Sequence, residues 1–120
     1  MSPRILITVS RTWSDISTMR EVLEKVYASQ PDAVLVHGDC PRGDRLAAHI
    51  WKELGGTDEP WPADWSRGRG GGPQRNAAMV ESNPSLVLSF IRGHSKGATG
   101  TYNLAQGAGL NCAPPYRQED

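Results

Sequence analysis

The chain has 120 residues, and its thirteen basic and thirteen acidic side chains cancel. That length supports one domain around one core, and neutrality argues against a protein that coats DNA or RNA by bulk charge. No apolar run approaches the roughly 18 residues a membrane helix needs. The opening Met1-Ser2-Pro3-Arg4 carries no signal-peptide pattern. Cys40 and Cys112 lack the spacing of a disulfide framework or zinc site, and His37, His49 and His94 show no ligand spacing. The expectation is a reduced, cytoplasmic protein with no metal and no membrane contact.

Taken in chain order, residues 4–9 are a short apolar, β-branched run of the kind buried in parallel sheets. Ser14 precedes a helical pattern through Ile16, Met19, Val22, Leu23 and Val26, which Pro31 ends. Residues 33–37 read as a second strand, followed by Gly38. Leu46, Ala47, Ile50, Trp51 and Leu54 form one face of a second helix, stopped by Gly55-Gly56. A short strand is expected near residues 59–61. Pro73 suits the first position of a third helix. Residues 85–91 read as a strand, 98–107 as a helix, 110–113 as a last strand, and 114–120 as a flexible tail. Strand and helix alternate throughout, which gives an α/β fold: a single Rossmann-like domain over residues 1–113, its mainly parallel sheet flanked by helices. In such sheets ligands bind beyond the carboxyl ends of the strands. Ser10 and Arg11, then Gly38 and Asp39, then the loop opening at Gly93 fall there.

Residues 62–79 are the most unusual segment. Gly68, Gly70, Gly71 and Gly72 mix with Arg67, Arg69 and Arg75 just before a helix. Glycine lets the backbone approach a ligand closely, a helix start offers N–H donors and partial positive charge, and arginine offers a planar fork for phosphate. Arg75 and Asn76 are expected in the first turn, where an arginine opposes the helix dipole unless an anion sits nearby. From residue 65 to 100, five basic residues face the single acid Glu81, a local excess of four. The turn from Gly93 to Thr101 is a second donor-rich segment: its backbone N–H groups, with Ser95, Thr99 or Thr101 hydroxyls, suit a phosphate. It is not a P-loop. Its Gly93-x-Ser95-x-Gly97 matches a hydrolase elbow, but no histidine follows Ser95 to complete a triad. Asp39 suits ribose hydroxyls, and Asp44 either orients Arg45 or a base, or caps the second helix.

Thr8-Val9-Ser10-Arg11-Thr12-Trp13, His37-Gly38, Gly43-Asp44-Arg45-Leu46-Ala47, Pro62-Ala63-Asp64-Trp65, Gly72-Pro73-Gln74-Arg75-Asn76-Ala77-Ala78-Met79 and Gly97-Ala98-Thr99-Gly100-Thr101 occur in that order. Together they resemble the small stand-alone members of the SLOG superfamily found in bacteria and their phages, relatives of the DprA-type DNA-processing proteins and the "lonely guy" phosphoribohydrolases. The resemblance spans roughly residues 4–112. It implies a Rossmann-like fold, a nucleotide-type pocket and a homo-oligomer. Two departures stand out: Val9 replaces the usual glycine before Ser10-Arg11, and Tyr102-Asn103-Leu104 follow Gly100-Thr101 where the phosphoribohydrolases place a catalytic glutamate.

The candidate ligand-binding residues are thus Ser10, Arg11, Gly38, Asp39, Asp44, Arg67, Arg75, Asn76, Gly93, Ser95, Gly97, Thr99, Gly100 and Thr101, with no catalytic residue assigned and no cofactor beyond a nucleotide-type ligand. The leading expectation is a module that senses or sequesters a nucleotide-derived small molecule. The alternatives are an enzyme acting on a nucleotide or ADP-ribose-like compound, with His37, Asp39, Asp44 and His94 as acid–base candidates, and a single-stranded DNA-binding protein of DprA type.

Overall fold

The apolar run of the first strand becomes the centre of the sheet. The computed structural model describes residues 2–119, and of Arg67 the backbone alone. Its elements are β1 (Arg4–Val9), α1 (Ile16–Ser29), β2 (Val34–His37), α2 (Gly43–Glu53), β3 (Thr57–Pro60), a 3-10 turn (Trp65–Gly70), α3 (Gly71–Glu81), β4 (Leu86–Arg92), α4 (Lys96–Gly107) and β5 (Tyr116–Gln118). The sheet order is β3-β2-β1-β4-β5, and every pairing is parallel. This is the doubly wound, Rossmann-like arrangement, and its order reverses between β1 and β4.

Strand periodicity divides the core into two layers. Ile5, Ile7 and Val9 face α1 and α2 with Leu35, Phe90, Met19, Leu23, Ile50 and Trp51. Leu6, Val36 and Val87 face α3 and α4 with Met79, Val80 and Ala105. A central strand covered on both faces has no exposed side to show, which is why β1 and β4 read as apolar runs interrupted only by the buried hydroxyls of Thr8 and Ser89. No helix among the described residues is long and apolar enough to cross a membrane.

Several boundaries differ from expectation: β3 covers Thr57–Pro60 where a strand near residues 59–61 is expected, and α4 begins at Lys96, two residues before the expected start. Residues 110–113 do not form the last strand: Cys112 makes one isolated bridge to Val87, with Val87 N–H donating to Asn111 O at 2.9 Å and Ala113 N–H to Val87 O at 3.0 Å. Pro114 and Pro115 lack N–H groups and interrupt that pairing. The chain then resumes it at β5, inside the segment expected as a tail, and Tyr116 stacks on Phe90 with ring centroids 5.0 Å apart. The third helix begins at Gly71 instead of Pro73, because the preceding glycines wind into the 3-10 turn. The first helix is capped by Asp15 instead of Ser14; the Asp15 carboxylate accepts from Thr18 N–H at 3.1 Å.

Candidate functional site

The candidate residues gather at the carboxyl edge of the sheet, but in separate groups. The first surrounds a cleft of about 590 Å³ between the ends of β1 and β4, lined by Arg11, Thr12, Arg92, Gly93, His94, Ser95, Lys96 and Gly97. It lies at the point where the strand order reverses. Among the described residues that line it, Arg11, Arg92 and Lys96 are basic and none is a carboxylate. Arg11 is exposed on its β1 side. On the β4 side Gly93 takes φ 59°, a left-handed turn that favours glycine. Ser95 then stands at the N-cap of α4 with no side-chain cap bond, and the first turn holds no acid. The ladder opens with Thr99 N–H donating to Ser95 O at 3.0 Å. The preceding N–H groups of Lys96 and Gly97 have no intrahelical acceptor and sit at the positive end of the helix.

Ser10 does not face this cleft as a donor. It is buried; its N–H donates to Phe90 O at 2.9 Å and its Oγ accepts from Arg92 N–H at 2.9 Å. It stitches the two strand ends together. Thr101 is also buried, and its hydroxyl donates to Gly97 O at 3.0 Å within α4. Thr99 and Gly100 lie one turn behind the residues that line the cleft.

The second group braces the β2–α2 turn. His37 is buried, its Nδ1 accepting from Asp39 N–H at 3.0 Å and its Nε2 standing 2.8 Å from Asp58 Oδ2. Since Nδ1 accepts, the ring carries its proton on Nε2 and donates to Asp58. Asp39 takes φ 58° and pairs with Arg45 at 2.9 Å. The Arg45 hydrogen bond holds its carboxyl below the usual carboxylate range. Asp44 is in the first turn of α2, not at its cap, and its Oδ2 accepts from Gly38 N–H at 2.9 Å and Cys40 N–H at 3.4 Å. Burial pushes the Asp44 carboxyl up despite those bonds. The same burial, with the Asp44 charge beside it, pushes up the Cys40 thiol.

Arg75 belongs to this brace. Its position lies in the second turn of α3, not the first, since the helix starts at Gly71. The guanidinium donates to Gly38 O, to Trp61 O at 3.2 Å and to Asn76 Oδ1 at 2.7 Å. Two backbone carbonyls and the Asn76 side-chain oxygen thereby take up the guanidinium inside the fold. A Cβ on Gly38 would stand 2.7 Å from Arg75 Nη1, so a larger residue there would displace the guanidinium.

Part of the glycine–arginine segment is spent on chain packing. Asp64 caps the 3-10 turn through Ser66 N–H at 3.1 Å, and Gly68 turns the chain at φ 67°. A Cβ on Gly71 would collide with the Asp64 carbonyl oxygen, and one on Gly72 would sit 3.1 Å from the Trp65 ring. Arg69 is exposed, and the Arg67 side chain lies outside the described set. Thr12, Arg92, His94 and Lys96 complete the first cleft without having been singled out as ligand residues. Their signal was positional: all flank the ends of strands that the sequence did reveal.

A family model for the YspA, cpYpsA-related SLOG family (YAcAr) matches residues 3–68. The gene 61 protein of Mycobacterium phage D29 is 33% identical over 114 residues, covering 89% of this chain and 91% of that protein. The chain belongs to the YspA, cpYpsA-related SLOG family. Among solved structures, this SLOG-family chain is similar to the NADH-dependent reductase A1-R' responsible for alginate metabolism, with 16% identity and a TM-score of 0.49 over 88% of this chain and 49% of the reductase. The same reductase complexed with NAD matches with 16% identity and a TM-score of 0.47, over 88% of this chain and 50% of the reductase. The chain thus spans about half the length of those solved structures.

Proposed function

We propose that the protein binds a nucleotide or nucleotide-derived phosphorylated small molecule in the cleft between the ends of β1 and β4, as a sensing or sequestering module. One observation carries the reading: the cleft at the sheet's switch point is lined by Arg11, Arg92, Lys96 and the start of α4, with no carboxylate among its lining residues. Such a lining favours an anion and disfavours a cation. Its volume of about 590 Å³ falls within the range of small-molecule sites. Membership of the SLOG family supports the same chemistry. Arg11 and Lys96 supply exposed positive charge, Gly93 and Gly97 allow close approach of the backbone, and Ser95 adds a hydroxyl. Among the described lining residues no carboxylate stands beside His94 to form an acid–base pair, which favours binding over acid–base turnover.

The test is calorimetric. Small molecules released from gently purified protein by denaturation are identified by mass spectrometry, and AMP, ADP and ATP are titrated into wild type and an Arg11→Ala/Lys96→Ala variant. Removing two charge-assisted contacts of about 1.5–3 kcal/mol each should weaken binding at least a hundredfold. No released nucleotide and no measurable heat with any of the three would reject the proposal.

A further inference from the structure

We propose that Gln118, in the final strand, is a positioning residue for the cleft: it fixes the β1–α1 loop that carries Arg11 and Thr12. The inference rests on the reading of that cleft as an anion site. The loop has to hold Arg11 toward α4, yet residues 10–15 contain no strand or helix of their own. Arg92 secures part of it, donating from Nη1 to Thr12 O at 2.6 Å and to Ser14 Oγ at 3.3 Å. Gln118 holds its far end, at Ser14 and Asp15. Its Oε1 accepts from Ser14 N–H at 2.8 Å and from Asp15 N–H at 3.0 Å, and its Nε2 donates to Ser14 Oγ at 2.7 Å.

These three bonds cross more than a hundred residues of sequence, from the last strand to the first loop. One carbonyl oxygen with two lone pairs serves two adjacent N–H groups at the approach to α1. The Gln118 backbone is anchored separately: it pairs with Arg92 in the sheet, and Tyr116 stacks on Phe90. Phe90 in turn meets the edge of Trp13, a residue of the same loop, at 5.2 Å. A recess of about 310 Å³ beside β5, lined by Ile91, Gly93, His94, Arg117, Gln118 and Glu119, shares Gly93 and His94 with the main cleft. The C-terminal strand therefore borders the site as well as steadying its loop.

The test compares Gln118→Met, which keeps length and loses the acceptor, with Gln118→Glu, which keeps an acceptor oxygen and lets the Ser14 hydroxyl donate to its second oxygen. Three quantities are read: amide exchange at Ser14 and Asp15, affinity for ADP, and the thermal midpoint. In Gln118→Met, exchange at both amides should rise and ADP affinity should fall about tenfold, with the midpoint shifted by only a few degrees. Gln118→Glu should restore slow exchange at both amides, the readout that its added negative charge beside the cleft does not confound. Unchanged exchange in Gln118→Met, or faster exchange with unchanged ADP affinity, overturns the proposal. So does equally fast exchange at Ser14 and Asp15 in the two variants, because the acceptor is then not the cause. Failure of the wild type to bind ADP counts against the functional reading instead, and the exchange at Ser14 and Asp15 then decides by itself whether Gln118 sets the loop.

Discussion

Gly97 gives the sharpest separation of fold from function. It is the second residue of α4 and lines the cleft, and a Cβ added there would meet nothing within 4 Å. Gly100 is one turn further along α4, outside the lining, and a Cβ there also meets nothing within 4 Å. Packing within the chain therefore requires neither glycine, although each costs helix stability of up to about 1 kcal/mol relative to alanine. Alanine at Gly100 should stabilise the protein by about 0.5–1 kcal/mol, a rise of about 2–4 °C in melting temperature for a chain of this size. Alanine at Gly97 should leave the melting temperature equal or slightly higher, its gain being smaller at a helix end. Its methyl group would stand between the cleft and the first N–H donors of α4. Losing one charge-assisted hydrogen bond to a phosphate is worth about 1.5–3 kcal/mol, or roughly a 10- to 100-fold loss of affinity. Thermal melts and calorimetry with ADP read the two effects separately. An intact ADP affinity in Gly97→Ala would refute the argument that the glycine serves backbone approach to a ligand.

Other substitutions probe the brace around β2. Arg75→Met removes the donor shared by the Gly38 and Trp61 carbonyls and should cost about 1–3 kcal/mol in denaturant unfolding, while ADP affinity stays within a few-fold of wild type. Gly71→Ala drives a methyl into the Asp64 carbonyl oxygen and should destabilise by about 1–3 kcal/mol, read the same way. Asp44→Asn tests pH dependence. Its carboxyl is raised by burial, so wild-type stability is full below the ordinary carboxylate range and falls as pH rises through the raised value. The asparagine retains an acceptor for Gly38 and Cys40 without that fall, so its stability relative to wild type should increase from about pH 3 to pH 7; a pH-independent difference would contradict this. Asp39, held low chiefly by Arg45, works in the opposite sense: its contribution is lost as pH falls through its lowered value, and Arg45→Met should flatten the acid limb of the stability profile.

The sheet was readable because its central strands are covered on both sides. The apolar runs at residues 4–9 and 85–91 leave no polar face, and the helical faces through Met19 and Leu23 or Ile50 and Trp51 repeat at a period of 3.6. β5 was hidden because three residues, Tyr116, Arg117 and Gln118, carry no pattern, and their place depends on Tyr116 finding Phe90 across the fold. The ends of β1 and β4 were legible as site positions, whereas the roles of single residues were not. Ser10 and Thr101 look like donors for a ligand, but each is buried against backbone groups that only the folded chain brings near. Arg75 opposed the helix dipole on paper, and three acceptors contributed by Gly38, Trp61 and Asn76 take up its guanidinium inside the fold. Glycine-rich sequence signals close backbone approach without saying what approaches. At Gly71 and Gly72 it is this chain's own Asp64 and Trp65, while a Cβ added at Gly97 would meet nothing within 4 Å.

The central claim places the ligand at the β1/β4 switch point, and it is tested most directly by titrating ADP into isotopically labelled protein and following backbone amide shifts. The account predicts progressive shifts at Arg11, Thr12 and the amides from Gly93 to Gly97, with Gly38, Asp39 and Arg75 nearly still. Shifts centred on the β2–α2 turn and the 3-10 turn, or none at saturating ADP, would contradict it.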